Sequence, residues 1–209
     1  MRVPPVRPSS SSCWPPGVKH AVVADIHGVV HSGREDLVSA DPESALRWIA
    51  DNTNPEGMTG TLKEAVRGAD VFIGVSAPNV LGAEDVAAMA EGAIVFALAN
   101  PDPEVDPAIA RQTAAVVATG RSDFPNQINN VLVFPGVFRG LLDAQSRTVN
   151  TEMMLAAAGA LADVVAEDEL NANYIIPSVF NEKVAGAVAG AVREAAKAAG
   201  AAVTAATTA

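Results

Sequence analysis

Short, continuously apolar runs alternate with more polar segments through the middle of the chain. The runs cover residues 70–75, 93–99 and 114–119, with helical patterns between them at residues 83–90 and 107–112. Continuous rather than alternating apolar residues are typical of parallel strands that are covered on both faces. The alternation of strands and helices therefore predicts an α/β fold built on a doubly wound parallel sheet.

Further elements are predicted on both sides of these strands. Thr61 and Glu64 have the spacing of a capping box, so a short helix should begin there and end at Gly68. Upstream elements are a strand over residues 21–25 and a helix over 43–50. Downstream elements are a strand over residues 131–134, a helix from Pro135-Gly136 to residue 144, and helices over 151–166 and 182–199. Together they indicate one domain over residues 19–200.

Both ends of the chain differ in composition from this domain. The first 20 residues contain five prolines and two arginines but no acid. Because prolines break helices, this composition predicts a disordered or misassigned segment over residues 1–18 rather than an amphipathic transit peptide. Residues 201–209 are expected to form a frayed tail.

The composition excludes several classes of protein. Hydrophobic residues make up 49% and charged residues 18% of the 209, as in an ordinary globular protein. A net charge of −10 argues against nucleic acid as a partner, because phosphate binding needs a basic face. The single cysteine, Cys13, excludes an internal disulfide. No apolar run is long enough to span a bilayer, and the chain is expected to be cytoplasmic.

Asp25 follows the first predicted strand and is a candidate for cofactor binding. An acid at this position of a dinucleotide fold accepts hydrogen bonds from the adenosine ribose hydroxyls and repels a 2′-phosphate, which favours NAD over NADP. The alternative is a turn-forming Asp before a glycine-containing hairpin. A glycine-rich phosphate loop should lie about 20 residues upstream of such an acid. The sequence contains no G-x-G-x-x-G there, so the predicted sheet is incomplete on its N-terminal side.

Small or amide residues follow the next two predicted strands. Ser76-Ala77 can let the main chain approach a nucleotide closely, or can simply form a tight turn. Asn100 offers a donor and an acceptor that suit a substrate carboxylate or a nicotinamide amide, although it could also cap a helix. Because ligands bind outside the carboxyl ends of strands in open α/β sheets, all three residues are candidate site residues.

Asn129 and Asn130 precede the apolar run at residues 131–134. Two amides entering a buried strand would each cost roughly 1–3 kcal/mol without partners. They are therefore expected to contact a ligand, here a substrate, or to form a structural hydrogen-bond network, and the pattern does not choose between these.

The residues needed for catalysis are not recognisable in the sequence. His20, His27 and His31 all lie beside the first strand, and their spacing does not suit a metal site. No Ser-His-Asp or Cys-His arrangement has a plausible context, and no acid/base pair for hydride chemistry is visible. We therefore expect no catalytic residue and no metal ligand in this chain.

Five segments together resemble the Rossmann-like NAD-binding domain of bacterial malic enzymes. They are VVADIHGVVHSGRED, TLKEAVRGADVFIGVSAPNVL, IVFALANPDPEV, VVATGRSDFPNQINNVLVFPGVFRG and YIIPSVFNEKVAGAVAGAV. The resemblance extends from about residue 21 to about residue 199. It implies oxidative decarboxylation of malate to pyruvate and CO2, with NAD or NADP, Mg²⁺ or Mn²⁺, and a homo-oligomeric complete enzyme.

The resemblance also implies roles for particular residues and an incomplete chain. It places Asp25 at the adenosine ribose, Ser76-Ala77 in the cofactor groove, and Asn100 with one of Asn129 and Asn130 at substrate or nicotinamide. The catalytic Tyr and Lys and the metal ligands of the family have no counterpart here. One hypothesis is therefore a malic enzyme truncated at its N-terminus, for example by a frameshift. The alternative is a non-catalytic NAD-binding or assembly module, and poor solubility is expected in either case.

Overall fold

The computed structural model describes residue 18 and residues 20–38, 41 and 43–200. Nearly all of the predicted N-terminal segment, Lys19 and the predicted tail at 201–209 lie outside the described residues. The chain divides into two compact units. The first combines the residues up to Asp70 with Ala83–Glu91, and the second combines Val71–Gly82 with the residues from Gly92 onward.

A small antiparallel hairpin opens the first unit. Its strands are β1 (Ala24–Asp25) and β2 (Gly28–Val29), which pair with each other. Gly28 has a φ of 101°, a value that favours glycine. The predicted strand over residues 21–25 is thus mostly wrong. Its hydrogen bonds go to β2 and to loop residues, such as the bonds from the Val30 N–H to the Val23 carbonyl (2.7 Å) and from the Asn54 N–H to the Ala21 carbonyl (2.7 Å).

Four short helices follow among the described residues of the first unit, and side chains cap two of them. The helices are α1 (Glu35–Val38), α2 (Ala45–Asn52), α3 (Leu62–Ala65) and α4 (Ala83–Ala87). The Ser44 hydroxyl caps α2, and the predicted capping box of Thr61 and Glu64 is confirmed at α3. Val30, Leu37 and Ala50 form a small buried core cluster.

A parallel sheet of three strands organises the second unit. Its strands are β3 (Val71–Gly74), β4 (Ile94–Ala97) and β5 (Val116–Thr119), in the order β3-β4-β5. Helix α5 (Pro107–Ala110) precedes β5 and is capped by Asp106. The predicted strands at residues 70–75, 93–99 and 114–119 and the α/β fold class are therefore confirmed.

Strand β3 lies at an edge of the sheet within the described residues. The side chains of Val71, Ile73 and Val75 alternate with buried Phe72 and Gly74 and are 47%, 62% and 80% exposed. An apolar edge strand favours aggregation. The expected poor solubility of this chain stays a prediction, and these exposed residues are its physical reason.

The predicted strand over residues 131–134 is wrong. A 3₁₀ turn occupies Asn130–Leu132, and helix α6 (Phe134–Asp143) follows directly. The Asn129 side chain accepts a hydrogen bond from the Val131 N–H (3.1 Å), which turns the main chain away from an extended path. Pro135 lies in the first turn of α6, where its missing N–H is not needed.

Helix α6 packs with α7 (Thr151–Ala162) and α8 (Lys183–Ala198) around a second apolar cluster. Glycines allow α6 to approach α8 closely. A Cβ at Gly136 would lie 2.6 Å from the Val188 Cβ, and a Cβ at Gly140 would lie 2.6 Å from the Ala189 carbonyl oxygen. The cluster includes Met153, Val188 and Val192, which are almost fully buried.

Candidate functional site

The carboxyl ends of β3, β4 and β5 lie side by side in the second unit. The last paired residues are Gly74, Ala97 and Thr119. Beyond the ladder, the Leu98 N–H still donates to the Gly74 carbonyl (3.0 Å). Because ligands bind at this edge of open α/β sheets, the residues that follow the strands define the candidate site.

A buried glutamate joins two of these strand ends. Glu104 is fully buried. Its Oε1 accepts from the Ser76 N–H (2.6 Å) and the Ser76 hydroxyl (3.2 Å), and its Oε2 accepts from the Ala99 N–H (3.0 Å). Gly74 leaves the space that this side chain fills, because a Cβ there would lie 2.7 Å from the Glu104 Cγ.

Glu104 was not among the site residues predicted from the sequence. The available signal was an acid between Pro103 and Val105, in the short segment after an apolar strand, and both neighbours are buried. An acid in such a position needs partners, because a buried charge without hydrogen bonds is costly.

An open depression of about 360 Å³ lies where the segments after β4 and β5 meet. It is lined by Ala99, Asn100, Pro101, Asp102, Gly120, Arg121, Ser122, Asp123 and Gln127. The lining combines amide, hydroxyl and charged groups with the main chain, which suits a small polar ligand. Asn100 is exposed at this edge. Asp106, and not Asn100, caps α5, so the capping interpretation of Asn100 has no support at that helix.

Arg121 is the cation of this depression. Its guanidinium donates to both carboxylate oxygens of Asp123 (2.8 and 2.6 Å) and lies 3.7 Å from Asp102. These hydrogen bonds raise the pKa of Arg121 and lower the pKa of Asp123. The Phe124 ring lies 5.4 Å from the Arg121 guanidinium carbon and 5.7 Å from that of Arg111. These contacts therefore hold Arg121 in place. Arg121 was not among the site residues predicted from the sequence.

Asp25 lies in the first unit and is bound by a cation. Arg34 donates to both carboxylate oxygens of Asp25 (2.8 and 2.7 Å) and also pairs with Asp36. The His27 N–H donates to Asp25 as well (2.8 Å). Partial burial pushes the pKa of Asp25 upward, but these hydrogen bonds and the Arg34 charge outweigh burial and hold the pKa below 3.8. The hairpin alternative therefore describes its local structure, while ribose binding stays a prediction.

Ser76 and Ala77 are exposed directly beyond β3. The Ser76 N–H and hydroxyl both donate to Glu104 (2.6 and 3.2 Å). The role of both residues in cofactor binding stays a prediction.

Asn129 and Asn130 are exposed, so the expected cost of burying their amides does not arise. The buried amide of this segment is Asn126, at 5% exposure. Its nitrogen donates to the carbonyls of Val117 (3.1 Å) and Ala172 (2.8 Å), and its oxygen accepts from the Ile175 N–H (3.0 Å). The structural hydrogen-bond network that the sequence left open is thus built by Asn126. Substrate contact by Asn129 or Asn130 stays a prediction.

The described residues contain no group of three His, Cys, Asp or Glu side chains that could hold a metal ion. The donor set therefore does not fit Mg²⁺ or Mn²⁺ by itself. In the same part of the chain, no helix is long and apolar enough to cross a membrane.

Comparisons with known proteins agree on one family. The family model described as "Malic enzyme, NAD binding domain" matches residues 16–197. The NAD-dependent malic enzyme of Geobacillus stearothermophilus is 55% identical over 82% of this chain and 35% of its own length. The NADP-dependent malic enzyme of Halomonas elongata is 44% identical over 71% of this chain and 34% of its own length.

Solved structures give the same result. A crystal structure of the NAD-dependent malic enzyme of Thermotoga maritima has a TM-score of 0.77 and 41% identity, over 85% of this chain and 45% of that one. The malic enzyme of Entamoeba histolytica has a TM-score of 0.81 and 39% identity, over 88% of this chain and 38% of that one. The chain thus spans about a third of the length of the curated relatives named above.

Proposed function

From the premise that this chain belongs to the family of malic enzyme NAD-binding domains, we propose that it carries the cofactor-binding part of a malic enzyme. The reaction is the oxidative decarboxylation of malate to pyruvate and CO2, with NAD or NADP as hydride acceptor. Some contacts to the substrate also come from this chain. The complete enzyme is a homo-oligomer that uses Mg²⁺ or Mn²⁺.

The convergence of strand ends at one polar depression carries this proposal. Parallel strands β4 and β5 deliver Asn100 and Arg121 to the same depression, and β3 delivers exposed Ser76-Ala77 to the same edge of the sheet. This edge is where open α/β sheets bind nucleotides. A dinucleotide can therefore lie against the main chain at Ser76-Ala77 with a polar end near Asn100.

Each candidate residue has a distinct chemical role in this proposal. The Asn100 amide both donates and accepts, so it can bind the nicotinamide carboxamide or a substrate carboxylate. Asn129 and Asn130 supply further amides for the substrate. Asp25 binds the adenosine ribose, and its partner Arg34 is a side chain that suits a 2′-phosphate. Relatives named for each coenzyme exist, so family membership does not choose between NAD and NADP.

No described residue is assigned proton transfer. Among the ionisable groups of the second unit, Arg121 and Asp123 form one pair at the depression and Glu104 is enclosed by its hydrogen bonds. All three side chains are therefore occupied by these contacts. We therefore expect the 209-residue chain to bind the dinucleotide without reducing it.

Titration of the chain with NAD, followed by saturation-transfer NMR of the nicotinamide and adenine protons, tests the proposal. Asn100→Ala should raise the dissociation constant about tenfold, the effect of losing roughly 1.4 kcal/mol of hydrogen bonding. Asn173→Ala is the matched control, because Asn173 is an exposed amide outside the depression. Absence of NAD signals for the wild type, or equal affinities for the two variants, would contradict the proposal.

A non-catalytic assembly module is the second candidate. Exposed apolar side chains favour it: Val71 and Ile73 on β3, Val75 just after this strand, and Phe138 and Leu142 on α6. This candidate predicts a stable complex with an intact malic enzyme in sedimentation velocity and no NAD signals in the titration. The NAD-binding proposal predicts the signals whether or not such a complex forms.

A further inference from the structure

The segments that follow β3 and β4 are bonded to each other and not only to their own strands. The Asn79 N–H donates to the Pro103 carbonyl (3.1 Å), and the Leu81 N–H donates to the Glu104 carbonyl (3.0 Å). Glu104 adds its side chain to these main-chain bonds. The two segments therefore behave as one structural element at the carboxyl edge of the sheet.

Glu104 continues the strand pairing beyond the point where the ladder stops. The last main-chain bond between the strands is the one from the Leu98 N–H to the Gly74 carbonyl. Past this bond, Ser76 and Ala99 point their N–H groups at opposite oxygens of one carboxylate. The carboxylate thus fixes how far apart the two strand ends lie, next to Ala77 and Asn100.

This arrangement needs a carboxylate in particular. Both of its oxygens accept hydrogen bonds, whereas an amide of the same shape offers one acceptor and one donor. Among the described residues, Glu104 takes part in no ion pair, so its acceptors serve the strand ends. Glu104 is fully buried, so water does not solvate its carboxylate, and its hydrogen bonds all come from the strand ends.

We infer that Glu104 is a positioning residue that sets the geometry of the dinucleotide site. It holds Ser76-Ala77 and Asn100 at a fixed spacing through the Ser76 and Ala99 N–H groups. The inference rests on the proposed function, because it assigns the site that Glu104 positions. Glu104 itself is buried and contacts neither cofactor nor substrate.

Glu104→Gln tests the inference by replacing one acceptor with a donor. The retained oxygen should face Ser76, where two donors meet, so the new NH2 group faces the Ala99 N–H. Amide hydrogen exchange should therefore accelerate at Ala99 more than at Ser76, and it should stay unchanged in β5. The dissociation constant for NAD should rise about tenfold, as for the loss of one hydrogen bond to a charged group.

Val188→Ala is the control for simple loss of stability. Val188 is fully buried in the helical cluster of the same unit, and this cluster contains none of Ser76, Ala99 and Glu104. At a temperature where both variants are folded, it should lower the melting temperature without changing NAD affinity or exchange at Ala99. If Glu104→Gln does not fold, Glu104→Asp replaces it, since a shorter side chain can reach only one of the two strand ends.

The outcomes separate this inference from the proposed function. Unchanged exchange at Ala99 in Glu104→Gln, or an equal loss of NAD affinity in Val188→Ala, would overturn the positioning role. If the wild-type chain binds no NAD, the proposed function fails, and with it the site that Glu104 positions. The exchange data would then still report whether Glu104 holds the strand ends.

Discussion

Asp25 and Glu104 are carboxylates in different units that satisfy their oxygens by different means. Asp25 forms a bidentate ion pair with Arg34 and accepts one main-chain hydrogen bond from His27. Its side chain is 29% exposed. Glu104 has no exposure and takes its hydrogen bonds from two main-chain N–H groups and a hydroxyl. One carboxylate is neutralised by a cation near water, and the other is surrounded by dipoles in the interior.

The difference shows what each arrangement can do. An ion pair near the surface is screened by water and salt and contributes little to stability. A buried carboxylate that is fully hydrogen-bonded fixes the positions of its donors, because leaving any of them unpaired is costly. We therefore expect Glu104 to control geometry and Asp25 to respond to solution conditions.

Gly74→Ala should have the largest effect on stability. The added Cβ would lie 2.7 Å from the Glu104 Cγ and Oε1, and the hydrogen bonds of Glu104 prevent it from moving away cheaply. Overpacking of this kind should lower the free energy of unfolding by about 3 kcal/mol, measured by urea denaturation.

Gly159→Ala is the matched control. Gly159 lies within helix α7 and has open space where the Cβ would be. Since alanine is a better helix former than glycine, the free energy of unfolding of this variant should rise by up to about 1 kcal/mol. A Gly74→Ala variant that is as stable as the wild type would show that Glu104 is not confined.

Asp25→Asn should have a smaller effect that depends on pH. Because the folded pKa of Asp25 lies below 3.8, its ion pair stabilises the chain fully above about pH 5 and is lost as the pH falls through the folded pKa. At neutral pH the free energy of unfolding of the variant should be lower by only about 1 kcal/mol, because solvent screens the ion pair. Urea denaturation at several pH values should show the two stability curves converging in acid. A constant difference would contradict this account.

Asp36→Asn should have the smallest effect. Asp36 is exposed and shares the Arg34 guanidinium, which lowers its pKa, but Asp25 keeps both of its own bonds to Arg34. Added salt should remove the small difference from the wild type, whereas most of the Gly74→Ala effect should persist in salt. If Asp36→Asn lowered the free energy of unfolding more than Asp25→Asn did, the Arg34–Asp36 pair would contribute more to stability than the Arg34–Asp25 pair, contrary to this prediction.

The sequence predicted most helices and strands of both units, and one predicted strand in each unit was wrong. The three parallel strands follow from continuous apolar runs, which are typical of strands covered on both faces. Val71 and Ile73 of β3 are nevertheless exposed in this chain. The hairpin at Asp25 and the 3₁₀ turn at Asn130 were mistaken for longer strands, because short apolar runs there have the same composition. In both cases a local polar partner redirects the main chain: the His27 N–H bonds to Asp25, and the Val131 N–H bonds to Asn129.

The candidate site was predicted only in part. Asn100 is exposed in the depression, as its place after a strand suggested, whereas Arg121 and Glu104 were not selected. Asn126 was passed over in favour of its neighbours Asn129 and Asn130, although it is the amide that is buried. Composition does not distinguish these three amides, because burial depends on the Ala172 and Ile175 segment that packs against Asn126.

The sequence by itself determined the family, the parallel strands and the capping box at Thr61. These features depend on residues close together in the chain, so their pattern can be recognised without knowing the fold. Tertiary structure alone decided that Glu104 joins Ser76 to Ala99 and that Arg34 binds Asp25. Glu104 and Ser76 are 28 residues apart, and no local pattern relates them. Their hydrogen bond exists because two parallel strands end at the same edge of one sheet.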